Sequence, residues 1–212
     1  MKKLLSILLV TSFIVTLMVT GSVFADGPYK AKPFEFVGAA GVCGPDAGID
    51  TVTGAWVTHE GLPDAGKSDH GLLLEKLGPT ANCASAGAVI DGVSGISLTE
   101  IGYDIRNDSH CGAGAPRFNV SATDGFHFLG GCSNGTQTPN TPVAGWTRVR
   151  IDPTNPAQAF PPIAAGATII SIAILFDEGE DTPPNAGTAV IDNIQIKTPT
   201  GEVLIGKPGN AT

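Results

Sequence analysis

Beyond residue 25, no stretch of this chain sustains apolar residues at three- and four-residue spacing. Short runs instead alternate apolar and polar side chains and stop at clusters of glycine, proline, asparagine and aspartate. A period of two belongs to a strand with one face on a core and one in water, so the core must be built by sheets. The runs read as strands are Pro33 to Val37, Thr53 to Thr58, Leu72 to Leu77, Ala86 to Asp91, Ser97 to Arg106, Arg117 to Ala122, Phe126 to Leu129, Trp146 to Ile151, Ala167 to Phe176 and Ala189 to Lys197, with a short one at Glu202 to Ile205. So many strands at this spacing predict an all-β fold, two antiparallel sheets packed as a jelly-roll sandwich.

Alternation also assigns faces. Ile101, Tyr103 and Ile105 fall on one side of their strand, with Asp104 and Arg106 on the other. Phe118 and Val120 oppose Arg117, Asn119 and Ser121, and Val149 and Ile151 oppose Trp146, Arg148 and Arg150. Ile169 to Phe176 is apolar on both sides, which predicts a central strand covered by protein on both faces.

Residues 1–25 set the compartment. Lys2 and Lys3 precede an apolar run from Leu4 to Val19, and Val23-Phe24-Ala25 offers small residues for cleavage, the pattern of a secretory signal peptide. The alternative is an uncleaved anchor, since the stretch approaches the roughly 20 residues that span a bilayer. Cleavage leaves a single domain over 26–212, with a loop-rich beginning and a short tail, exported to the periplasm or the extracellular space and without stable membrane insertion. Removing Lys2 and Lys3 from 12 basic residues leaves 10 against 20 acidic ones, so a nucleic-acid partner is excluded on charge.

In an oxidising compartment Cys43, Cys83, Cys111 and Cys132 read as two disulfides, because no close cysteine pair suits zinc. The segment between Cys111 and Cys132 folds as a hairpin that brings its ends together, which pairs these two and leaves Cys43 with Cys83.

An early-strand tryptophan, Ser68-Asp69-His70-Gly71 leading into Leu72-Leu73-Leu74, a paired-strand block and a closing Val190-Ile191-Asp192-Asn193-Ile194 together resemble jelly-roll domains of the galactose-binding-like and carbohydrate-binding-module type. CGAGAPRFNV from Cys111 and ILFDEGEDTPPNAGTAVIDNI are similar to stretches of small secreted bacterial proteins. The resemblance implies a structural calcium ion held by the late Asp192 with Asp69 or Glu35. Alternation by itself places Asp192 among Val190, Ile194 and Ile196 on the core face, where a carboxylate needs donors, a cation, or a bulge that turns it outward; the plain alternative is an Asp that pins a loop.

Sugar sites set a flat ring beside hydrogen-bonding side chains. Trp146 fits, with Arg148 and Arg150 on its face and Arg117, Asn119 and His127 on neighbouring strands; the alternatives are a loop that covers the ring or a bulge near Gly145. Trp56 reads as core packing. Asp177, Glu178, Glu180 and Asp181 crowd one loop, either as a solvated turn or as carboxylates for glycoside hydrolysis. Gly131-Cys132-Ser133-Asn134-Gly135 matches the nucleophile-elbow pattern in form, but Thr136-Gln137-Thr138-Pro139 behind it opens no helix. The functional expectation is a secreted, non-catalytic ligand-binding module for glycan or cell-surface material. A structural or adhesive extracellular protein and a glycoside hydrolase using the acidic loop are the alternatives.

Overall fold

The computed structural model describes residues 28–39, 51–64 and 68–206. Thirteen strands are formed there: β1 (Lys30–Val37), β2 (Thr51–Val57), β3 (Gly71–Leu77), β4 (Ala84–Asp91), β5 (Glu100–Arg106), β6 (Arg117–Ala122), β7 (Gly125–Gly130), β8 (Thr136–Pro139), β9 (Trp146–Ile151), β10 (Ala159–Phe160), β11 (Ile169–Phe176), β12 (Thr188–Thr198) and β13 (Gly201–Ile205). They pair into two sheets. The first has the order β1-β4-β11-β6-β7-β10 and the second β2-β3-β12-β5-β9-β8, with β13 against the later half of β12. Every pairing is antiparallel, giving the expected jelly-roll sandwich. No described helix is long and apolar enough to cross a membrane.

The core lies between the sheets where alternation put it. Phe118, Val120, Ile172, Ile174 and Phe176 point inward from the first sheet to meet Tyr103, Ile101, Val149, Ile151 and Ile194 of the second. Tyr103 is fully buried, stacks at a tilt on Phe118 and donates its hydroxyl to the Pro116 carbonyl at 2.8 Å. That bond answers the cost of sinking a phenol in a core, and the same burial drives its pKa upward. Trp56 packs partly buried against this core and donates Nε1–H to the Ala31 carbonyl.

Two strands, β8 and β10, lie outside the sequence expectations. β8 is wholly exposed and β10 is two residues long, so neither carries an alternation. β11 is central as expected, but its outer side is not covered among the described residues: Ala173 and Leu175 are half-buried, and Ile170 is exposed.

One bulge re-aims the end of the chain. Asp192 pairs with Asp104 and Gln195 with Gly102, so two residues of β12 stand against one of β5, and Asn193 takes a positive φ of 45°. Asp192 therefore does not share the core face with Ile194 and Ile196. It stands with Val190 on the outer side of the second sheet.

Cys111 and Cys132 form the expected disulfide. Cys83 is also disulfide-bonded; Cys43, its expected partner, lies outside the described residues, as do residues 1–25.

Candidate functional site

The outer face of the first sheet carries one row of side chains in register across all six strands: Lys32, Val89, Ala173, Asn119, Phe128 and Phe160. A neighbouring row runs Ser171, Ser121, Phe126, and another runs Phe34, Gly87, Leu175, Arg117. The rings gather at the β7 and β10 end. Phe126, Phe128 and Phe160 are 48%, 43% and 45% exposed, a large apolar area for side chains that usually seek a core. Phe126 meets Phe128 edge-on at 4.9 Å between centroids, and the Arg117 guanidinium lies 5.5 Å from the Phe128 ring centre. Between these rings and β4, Ser121, Ser171 and Ala173 are small, while Arg117 and Leu175 flank them on one side. Gly87 has no room for a side chain, since a Cβ there would lie 2.5 Å from the Phe34 ring.

The polar groups beside the rings are ready to bond. Asn119 uses its oxygen to accept Arg117 Nε–H at 3.1 Å, while its amide nitrogen and the hydroxyls of Ser121 and Ser171 bond to no other described residue. An apolar platform thus borders one amide donor and two hydroxyls. Sequence reasoning picked Arg117 and Asn119 but missed all three phenylalanines. The alternation Phe126-His127-Phe128-Leu129 was a usable signal: it places Leu129 inward and both Phe outward.

The acidic loop borders this face and is tied to the fold. Asp177 takes both terminal nitrogens of Arg117 at 2.6 and 2.7 Å, and its carbonyl accepts from Lys76, a fully buried side chain that also donates to the carbonyls of Thr80 and Asn82. Glu178 meets His110 Nε2 at 2.5 Å and accepts the Ala115 N–H; His110 Nδ1 faces the Pro184 carbonyl, and its ring packs edge-on against Phe176. Asp181 takes the Thr80 N–H and hydroxyl, both at 2.7 Å, and these bonds hold its carboxyl below the usual range. Three of the four carboxylates are therefore engaged by fixed internal donors, an arrangement suited to pinning a loop.

The other residues expected at a binding surface do not join this face. Trp146, Arg148 and Arg150 project outward as parity requires, but from the second sheet, on the opposite side of the sandwich. Trp146 is only 7% exposed, clustered with Leu62, Val190 and Leu73. The cover is the turn after β2, whose Leu62 N–H is taken by Asp192 Oδ2 at 2.7 Å. Arg148 pairs with the fully buried Asp104 through Nε at 3.0 Å and Nη2 at 3.3 Å, and Arg150 and the Asn193 amide complete that carboxylate's partners. Asp104 holds the Arg148 guanidinium up, whereas burial lowers that of Arg150. His127 is buried on the inner side of β7, between the Pro161 carbonyl at 2.8 Å and Asp124 at 3.1 Å.

The residues named for calcium do not converge. Glu35 accepts the Gly54 N–H, Asp69 accepts the Asp64 N–H, and both oxygens of Asp192 accept backbone N–H groups, from Leu62 and Asn193. Among the described residues no three His, Cys, Asp or Glu side chains form a group that suits a metal ion. Burial pushes the Asp192 carboxyl up to about 8, with Asp64 and Asp104 adding to the rise and the two N–H bonds opposing it. Ser133 lies in a 3₁₀ turn between the disulfide and β8, so the strand-to-helix elbow is absent there.

No family model matches the chain, and no curated protein matches its sequence. Among solved structures it is similar to the family 11 carbohydrate-binding module of the cellulosomal cellulase Lic26A-Cel5E of Clostridium thermocellum. That likeness has a TM-score of 0.42 and 17% identity, over 86% of this chain and 91% of the other. The two-sheet antiparallel sandwich that the resemblance implied is the architecture the strands form.

Proposed function

We propose that this protein is an exported, non-catalytic module that binds glycan on the outer face of its first sheet. The observation that carries the reading is the cluster of half-exposed Phe126, Phe128 and Phe160 beside the Asn119 amide nitrogen and the Ser121 and Ser171 hydroxyls, which bond to no other described residue. A pyranose has one apolar face and a rim of hydroxyls. The rings cover the first and the amide and hydroxyls answer the second, in a row fixed by strand register. The Cys111–Cys132 disulfide suits an oxidising compartment, which supports export.

Affinity electrophoresis of the wild-type protein and Phe128→Ala through gels holding soluble polysaccharides tests this reading. Retardation of the wild type that is lost in a variant of unchanged melting temperature supports it. Absence of retardation by every polysaccharide sinks it.

An adhesive role is the second reading, favoured by one observation: the same face continues through exposed Val89 and Phe36 toward β1. Sedimentation that shows self-association reversed by Phe128→Ala, with no glycan retained, selects that role.

A further inference from the structure

We infer that the glycan bound on this face is uncharged, a neutral polysaccharide segment recognised without ion pairing. The inference rests on the proposed binding face and narrows what that face accepts.

Among the described residues the cations of the face are Lys30, Lys32 and Arg117, and the structure gives Lys32 and Arg117 counter-charges within the chain. Arg117 has four of its five N–H donors engaged: Nη1 and Nη2 go to Asp177, Nη1 also goes to the Gly114 carbonyl, and Nε goes to Asn119. Its side chain is only 16% exposed, so an incoming carboxylate or sulfate would have to displace a bidentate partner that is already in place. Lys32 reaches Asp91 at 2.5 Å, and Lys30 pairs in register with the same Asp91. Lys30 and Lys32 lie on edge strand β1, three strand positions from β6 and four from the β7 rings. With strands about 4.8 Å apart, roughly 19 Å separate β1 from β7, well beyond the screening length in physiological salt.

What the ring cluster does offer is neutral: an amide N–H at Asn119 and the hydroxyls of Ser121 and Ser171. The wider field points the same way. The chain carries 20 acidic against 12 basic residues, so an acidic polymer approaches a surface of its own sign. A polyanion binder needs free Lys or Arg beside its aromatic platform, and here the nearest guanidinium is already neutralised.

The test is affinity electrophoresis of the purified protein against neutral polymers (galactomannan, arabinoxylan, starch, mixed-linkage β-glucan) and acidic ones (polygalacturonate, alginate, chondroitin sulfate). Each is run at about 20 and about 500 mM NaCl, with Phe128→Ala alongside and its fold verified by near-ultraviolet circular dichroism. The expected result is retardation by at least one neutral polymer, with apparent affinity changing less than about twofold between the two salts, and loss in Phe128→Ala. Tightest retardation by an acidic polymer, weakened about tenfold or more by salt and lost in Phe128→Ala, overturns the neutral ligand and leaves the binding face standing. Retardation by no polymer, or retardation that survives Phe128→Ala, overturns the binding face and this inference with it.

Discussion

Asp192 accepts the backbone N–H of Leu62, 130 residues earlier in the chain, at 2.7 Å, and so fastens the turn that covers Trp146. A late strand thereby locks an early loop onto the outer face of the second sheet. An Asn at position 192 keeps one acceptor oxygen but turns an N–H₂ toward one of the two N–H donors now satisfied. Asp192→Asn should cost about 1–3 kcal/mol. In a Trp56→Phe background, the remaining Trp146 fluorescence should shift to the red and become more accessible to acrylamide. An unchanged spectrum would mean that the Leu62 turn stays closed without this bond.

The same carboxylate makes stability depend on pH. Its folded pKa is raised, from 3.8 to about 8, so the native state holds a proton that the unfolded state has lost throughout that window. The stability this group contributes is fully present below the unfolded value and is lost as pH rises through the folded one. Between pH 4 and 8 the difference in unfolding free energy, wild type minus Asp192→Asn, should fall by up to about 1.4 kcal/mol per pH unit. Urea titrations at several pH values measure it. A difference that rises with pH would show that the N–H groups of Leu62 and Asn193 outweigh burial.

Trp146→Ala should destabilise by about 3 kcal/mol, because it empties the centre of the Leu62, Val190 and Leu73 cluster. Polysaccharide retention should be unchanged, since the candidate face lies across the sandwich. Thermal denaturation and affinity electrophoresis of one preparation check both halves.

Parity and coverage separate what the sequence discloses from what it hides. The direction of Trp146 follows from Val149 and Ile151, both core residues, and the structure agrees. Its burial does not follow, because the cover comes from Leu62, which no local pattern connects to β9. Asp192 shows the converse. Strict alternation sends it inward with Ile194, and only the extra residue at Asn193 reverses it, a register fact set by pairing with β5. Arg117 and Asn119 were legible as outward residues. Alternation assigns faces within a strand and says nothing of which sheet a strand joins, so the sequence alone does not separate them from Arg148 and Arg150. The run Ile169 to Phe176 fits a buried central strand equally well by periodicity, yet its outer side helps to form the exposed apolar face.

Phe128→Ala brings these relationships to one measurement. Phe128 stands between Asn119 and Phe160 in the transverse row, touches Phe126 edge-on and carries Arg117 near its face. It is 43% exposed, so truncation removes little packing, and the melting temperature should correspond to a loss of no more than about 1 kcal/mol. Its central place among the rings makes it the residue on which a stacked ligand would depend most. Removing an aromatic anchor of this kind costs about 2 kcal/mol or more of binding, which is roughly thirtyfold in affinity. Phe36→Ala, at a ring 52% exposed but on edge strand β1, should leave affinity within about twofold. Equal losses in the two variants would mean that apolar area anywhere on the sheet serves, and that the register of Asn119, Phe128 and Phe160 has no part in recognition.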